Sequence, residues 1–420
     1  MSYPSLFAQR LASGSGIVDL MADLGEALNV NPSMLFLGGG NPARIPEFEA
    51  LMAQELKQLA GDEEAVHRLL GVYQSPQGSE ALISELSAFF QGLAWPVTEQ
   101  NICLSSGSQS AFFMLFNLLA GPEAHAEGKK ILLPMLPEYL GYAQQGLAEH
   151  MFEACAPLIE EQPGQRFSYH CDFEAVESRL AVGDIAALCV SRPTNPSGNV
   201  HSVQTMECLG RLADKYQIPL IVDAAYGDPF PGVVYDAEPI AWKPNRIFVL
   251  SLSKLGLPGV RTGIVVADTS LIEKLSAINT VLSLANGNLG PALFESLLKA
   301  KKLKPLCSDL IQPFYERKRN YMQALIDTHL QSLPYRLHQA QGAFFLWLWL
   351  KDLPLTSFEL YERLKKRSLL VMDGSHFFFG SQVLGSHQHE CLRLSYCAED
   401  AVLEQAVILL ADELKQLYAV

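Results

Sequence analysis

The chain of 420 residues is 49% hydrophobic and 18% charged, with a formal net charge of -14 at pH 7. This length exceeds the usual single domain and predicts one large and one smaller domain, and the apolar fraction excludes a disordered or coiled-coil chain. The acidic balance argues against non-specific nucleic-acid binding, so any anionic ligand must be held by a local cluster of donors.

Eight cysteines, at positions 103, 155, 171, 189, 208, 307, 391 and 397, include no Cys-x-x-Cys pair and read as reduced core thiols. Residues 1–10 lack a basic segment followed by an apolar one, and no apolar run approaches bilayer-spanning length. The expected compartment is the cytoplasm, with no membrane partner.

Along the chain, residues 15–28 place apolar side chains at Ile17, Leu20, Met21, Leu24 and Leu28. That spacing predicts a helical N-terminal arm packed on a partner surface. A short apolar run at 34–37 opens on Gly38-Gly39-Gly40-Asn41-Pro42, where missing side chains let backbone approach a ligand. It lacks the glycine spacing and the Gly-Lys-Ser/Thr of nucleotide loops. Helical patterns at 47–60 and 78–93 precede a strand near 101–104, and Gly107-Ser108-Gln109 opens an apolar helix reaching about Leu119. A glycine at that junction suits an anion held by helix N-terminal N–H groups.

Strands are predicted at 131–134, 185–190, 218–222, 247–252 and 263–267, separated by helical stretches. Repeated strand–helix units of this kind predict an α/β protein with a mostly parallel sheet. After about residue 290 the pattern changes to a long helix through 292–328, a strand at 344–350, a helix at 357–367, a strand at 392–396 and a terminal helix at 400–417. This reads as a small α/β domain.

The chemistry concentrates at the predicted strand ends. Residues 251–263, Ser-Leu-Ser-Lys-Leu-Gly-Leu-Pro-Gly-Val-Arg-Thr-Gly, set Lys254 and Arg261 seven apart among hydroxyls and glycines. A lysine amine forms a Schiff base with an aldehyde, while a guanidinium, hydroxyls and backbone N–H groups hold a phosphate. Asp223 directly follows a buried-looking strand, where a carboxylate needs a partner such as a protonated pyridine nitrogen; the alternative is a helix-capping aspartate. Asn195 lies between two prolines in a turn after the strand at 185–190, and Tyr226 follows Asp223 by three. Ligand sites of open α/β sheets lie outside the carboxyl ends of the strands, where all five residues fall.

Asn-Pro-Ser-Gly at 195–198, Asp-Ala-Ala-Tyr at 223–226 and Ser-Leu-Ser-Lys at 251–254, in this order, resemble the fold-type I pyridoxal-phosphate aminotransferases over nearly the whole chain. Further motifs are similar to the members of that family that exchange an amino group between valine and pyruvate. They are Leu-Gly-Gly-Gly-Asn-Pro-Ala at 37–43, Gly-Ser-Gln-Ser-Ala-Phe-Phe at 107–113, Pro-Glu-Tyr-Leu-Gly-Tyr at 137–142 and Phe-Leu-Trp-Leu-Trp at 345–349.

The resemblance implies a mostly parallel sheet of the seven-stranded type between helices, plus a smaller α/β domain built from both chain ends. On this reading residues 1–45 form the arm and part of the small domain, 46–290 the large cofactor-binding domain, and 291–420 the small C-terminal domain. The cofactor implied is pyridoxal 5'-phosphate, and the partners are small amino acids, 2-oxo acids and a second copy of the chain in a homodimer that shares its active sites.

By the same resemblance Lys254 anchors the cofactor and shuttles a proton, Asp223 faces the pyridine nitrogen, and Asn195 and Tyr226 donate to the ring oxygen. Lys254, Asp223 and Tyr226 are then the catalytic residues. Tyr139 stacks on the ring. Ser108 and Gln109 hold the phosphate through their helix N-terminus, Ser251 and Arg261 by side chain, and Tyr73 from the partner subunit. Ser253 is expected on the opposite face of its strand from Lys254.

Arg393 sits in an apolar strand and either makes an internal salt bridge or forks onto the substrate carboxylate; the resemblance selects the carboxylate, with Gly40 beside it. No arginine lies between Arg261 and Arg317, which favours a neutral aliphatic substrate side chain over an acidic one. His387 and His389 lack a further ligand set, so no metal is expected. Within the same cofactor chemistry the rivals are an aminotransferase of other specificity, a β-lyase or a decarboxylase. A non-catalytic regulator built on the same scaffold is disfavoured by the short segment before Gly38 and by Lys254 itself.

Overall fold

A computed structural model describes residues 5–11, 16–123, 126–380 and 385–419. Its larger sheet has eight strands. Seven run across the molecule in the order Ile102–Ser105, Gly263–Val266, Arg246–Ser251, Leu220–Asp223, Ile185–Ser191, Ala126–Leu133 and Phe152–Ala154, and the short Gly121–Glu123 adds a hairpin to one edge. All pairings among the seven are parallel except those of Gly263–Val266, which is antiparallel to both neighbours. All seven residues of Ile185–Ser191 and all four of Leu220–Asp223 are buried, as a parallel sheet covered by helices on both faces requires. The register aligns Ser191 with Asp223 and Asp223 with Val249, so two carboxyl ends stand level and the third strand runs two residues further, to Ser251.

A second, six-stranded sheet runs Met372–Asp373, Cys391–Ser395, Phe345–Leu350, Tyr335–His338, Arg166–His170 and Leu158–Gln162. Its last two strands form a hairpin that emerges from the segment between 46 and 290, and Leu337 pairs with Arg166 in parallel. Trp347 is fully buried in this sheet and donates to the Tyr169 hydroxyl, a core role for that tryptophan. The N-terminal segment joins the same half of the molecule: Leu35–Phe36 pairs in parallel with Leu369–Leu370.

The helix expected over 292–328 is interrupted. Leu289–Lys299 stops at Lys301, which adopts the left-handed conformation at φ 54°; a single turn, Leu303–Pro305, and a π-helical turn, Leu306–Ile311, then lead into Gln312–His329. Pro305 and Pro313 each withhold an N–H from the i to i-4 ladder, which breaks the regular helix between them.

The N-terminal helix Gly16–Val30 forms where the apolar spacing places it, and within its own chain it is tied to the small domain. Asp23 accepts hydrogen bonds from Tyr361 and Lys365 of the helix Ser357–Lys366, and Ala27 is buried. The side chains of Ile17, Leu20, Met21 and Leu24 lie outside the described residues. Arg10 ties the preceding helix, Leu6–Leu11, to the loop at 143–146 through Ala143 O, Gly146 O and Gln144 Oε1, each at 3.0 Å. All eight cysteines are free thiols, and six are buried.

Candidate active site

A cavity of about 590 Å³ opens at the carboxyl ends of the parallel strands and is lined by Gly40, Ser108, Gln109, Tyr139, Asn195, Asp223, Tyr226, Lys254, Arg261 and Arg393. Its size and position are those of a ligand site in an α/β sheet. Ten predicted residues from both chain ends and the middle are brought to one wall-to-wall space.

Lys254 lies three residues past the strand Arg246–Ser251. Its Nζ donates to Gly40 O at 2.7 Å and stands 5.1 Å from the centre of the Tyr226 ring. Burial lowers its pKa to about 8, with Cys397 and Asp223 opposing and Arg393 and Arg261 reinforcing the shift. A lysine so placed is neutral often enough near neutral pH to act as nucleophile or base.

Asp223 ends its strand and is 8% exposed. Tyr142 Oη donates to Oδ2 at 2.6 Å and the Ala225 N–H to Oδ1 at 3.0 Å. Burial raises its pKa, and these two bonds and the Lys254 charge hold it down. A cation facing it in the cavity would favour the ionised form further. Tyr142 carries no role in the sequence reading; the only signal was its place three residues after Tyr139 in a motif already singled out.

Asn195 Oδ1 accepts from Arg393 Nη1 at 2.8 Å, which leaves the amide NH2 as the donor Asn195 can offer. Arg393 Nη2 donates to Gly38 O at 2.8 Å, its guanidinium lies 4.1 Å from the Phe345 ring, and the buried Nε has no partner. Among the described residues no carboxylate pairs with it, so the internal salt bridge is not made. Burial pulls its pKa down to about 10, the mark of a buried cation that lacks an anion.

At the other end, the helix Ser108–Leu119 begins at Gly107, which has φ 93° and no side chain to cap the helix. The first N–H groups are therefore left for a ligand. A Cβ on Gly107 would collide with the Arg261 guanidinium, so Arg261 lies across the helix start. Its bonds to Ser253 Oγ at 3.4 Å and Pro258 O at 3.3 Å are long, and most of its donor capacity is unspent. Tyr139 reaches this end too, its hydroxyl 3.4 Å from Gln109 Oε1.

Two predicted residues stand apart. Ser251 is 1% exposed and its Oγ accepts the Ser253 N–H at 3.2 Å, so it braces the turn and does not line the cavity. The strand ends at Ser251, so strand alternation does not reach Ser253, whose hydroxyl bonds Arg261. Tyr73 is 80% exposed and lines a separate cleft with Arg68 and Asn288. His387 lies in the small-sheet core, its Nε2 2.6 Å from the Tyr169 hydroxyl, and the described residues hold no metal-binding cluster.

The donor set fits pyridoxal phosphate: helix N–H groups and Arg261 for a phosphate, a buried carboxylate for a ring cation, a buried amine between them, and an unpaired guanidinium for a carboxylate. The model of the class I and II aminotransferases matches residues 40–409, and the chain belongs to that family, whose members use this cofactor to transfer amino groups. It is 42% identical over 417 residues to the valine–pyruvate aminotransferase of Escherichia coli (strain K12), covering 99% of both chains. The solved valine–pyruvate aminotransferase of Salmonella typhimurium LT2 superposes with a TM-score of 0.88 at 40% identity, covering 96% of this chain and all of that one. A solved structure from Psychrobacter arcticum 273-4 superposes with a TM-score of 0.96 at 40% identity over 100% of this chain and 99% of that one.

Proposed function

We propose that this aminotransferase exchanges an amino group between valine, or a similar aliphatic amino acid, and pyruvate, giving 2-oxoisovalerate and alanine in two half-reactions. The observation that carries this reading is the 42% identity along the full length of a valine–pyruvate enzyme. The lack of any arginine between Arg261 and Arg317 agrees with a neutral substrate side chain.

When bound, pyridoxal phosphate supplies an aldehyde that condenses with amines and a pyridinium ring that withdraws electrons from the substrate α-carbon. Asp223, braced by Tyr142, would keep the ring nitrogen protonated. Asn195 and Tyr226 would donate to the ring oxygen, and Tyr139 would cover the ring face. Ser108, Gln109 and Arg261 would hold the phosphate, with Ser253 in support of Arg261. Lys254 would anchor the group and its amine would hold or move the proton at the substrate α-carbon. Arg393 orients the substrate through its carboxylate, beside Gly40.

The working unit in this reading is a cytoplasmic homodimer, with residues 46–290 as the large domain and the small domain built from 1–45 and 291–420. Leu70, Val72, Tyr73, Val281, Leu282 and Leu284 are all exposed, and Asn288 draws their two segments together by donating to Arg68 O, Leu69 O and Val72 O. Such an apolar patch suits a subunit interface, and it would let Tyr73 reach the partner's phosphate site. No helix among the described residues is long and apolar enough to cross a membrane.

Steady-state turnover with pyruvate as acceptor tests the substrate reading. The expected result is a kcat/KM for valine at least about tenfold above that for aspartate, the discrimination expected when an acidic side chain finds no cation. Faster turnover of aspartate would overturn it.

A further inference from the structure

Part of the cavity lining is used by neither the cofactor set nor Arg393. It includes four wall residues, Gly25 and Leu28 of the N-terminal helix, Phe36 of the short parallel ladder, and Met372. Met372 is the cross-strand partner of Arg393, so the two side chains leave the same face of the small sheet. Phe36 presses on the glycine loop: a Cβ on Gly39 would stand 2.7 Å from its ring, and the neighbouring Gly38 O accepts from Arg393. Two apolar side chains therefore line the cavity near Arg393, Met372 across the strand from it and Phe36 against the loop whose Gly38 O it bonds. The substrate side chain leaves the carbon that bears that carboxylate, and none of the four wall residues offers it a charge or a hydrogen bond.

Gly25 sits inside a 15-residue helix, where glycine costs about 1 kcal/mol relative to alanine. Packing does not demand it, because an added Cβ would meet nothing within 4 Å. Gly25 is exposed and is among the residues that line the cavity, so open space remains there.

We propose that Leu28, Phe36 and Met372 form the pocket for the substrate side chain and that Gly25 leaves its outer end open, so that aliphatic chains longer than valine's, such as those of leucine and methionine, serve as amino donors. The proposal rests on the aliphatic reading of the site. It assigns specificity to the N-terminal helix, a segment outside the residues matched by the family model.

The test uses the holoenzyme and reads kcat/KM for leucine relative to alanine, with pyridoxal absorbance checking that each variant holds cofactor. Gly25→Leu should lower that ratio about tenfold or more, the scale on which a pocket discriminates a few methylenes, and Met372→Ala should raise it. Ratios within about twofold of wild type in both variants, or equal losses for the two substrates in Gly25→Leu, would overturn the pocket. Wild-type turnover separates the two readings, since an enzyme that uses leucine and not valine keeps the pocket and loses the valine assignment.

Discussion

In the proposed reaction Lys254 does two jobs with one amine, and its surroundings set how well it does either. With burial holding its pKa at about 8, the neutral fraction rises about fivefold between pH 7 and 8 and is nearly complete by pH 9. Cofactor-free protein mixed with pyridoxal phosphate should capture it with that pH dependence, measured as the initial rate of growth of the lysine-bound absorbance. A rate climbing about tenfold per pH unit up to pH 10 would mean an ordinary, solvated lysine. Neighbouring residues act through the same electrostatics: Asp223 needs Tyr142, and Asn195 is turned by Arg393. Lys254, Asp223, Asn195 and Arg261 were legible in the sequence because each lies at a strand end in a motif. Tyr142 was not, since its role depends on meeting a carboxylate 81 positions later. Ser253 departs from the expected alternation because the strand ends at Ser251, so nothing sorts its side chain onto the face opposite Lys254, and its hydroxyl accepts from Arg261.

At the scale of elements, the helix Ser108–Leu119 is the part most exposed to a single substitution. Gly107 holds φ 93° and lies beneath the Arg261 guanidinium, so Gly107→Ala strains the backbone and pushes away the arginine at once. The expected outcome is a rise of about tenfold or more in the dissociation constant for pyridoxal phosphate, read by equilibrium dialysis, with the fold retained by circular dichroism. Unchanged affinity would remove this helix end from the phosphate site. Elements were legible where their own residues carried the signal. Ile185–Ser191 is a continuous buried run, whereas Phe152–Ala154 has three residues and no run at all. The hairpin of 158–170 is half exposed, and the strand it joins, Tyr335–His338, lies far along the chain. Long-range pairing of that kind leaves no local periodicity to read.

Across the whole molecule, three buried histidines link stability to pH. Burial pulls His338 down to about 3 and His201 and His387 to about 4, against an ordinary value of 6.5. Between those values the unfolded chain binds more protons than the folded one, so stability rises with pH through this window and is lost on acidification. Each histidine contributes a loss of about 2 kcal/mol from pH 7 to 5. Glu138, whose pKa burial raises to about 7 despite bonds from Ser191 and Tyr139, binds its proton more readily when folded and offsets one of the three. The denaturant midpoint of cofactor-free protein should therefore be clearly lower at pH 5 than at pH 7; a flat or rising profile would contradict this balance.

In the proposed function one cavity, assembled from both chain ends and the middle, holds pyridoxal phosphate on Lys254 and passes amino groups between aliphatic amino acids and pyruvate. A single titration of the holoenzyme's absorbance spectrum tests it most directly. Valine alone should convert the lysine-bound pyridoxal band to the pyridoxamine band, pyruvate should then restore it, and Lys254→Ala should abolish the cycle. A holoenzyme whose spectrum valine leaves unchanged, or a lysine-free variant that still cycles, would contradict the account.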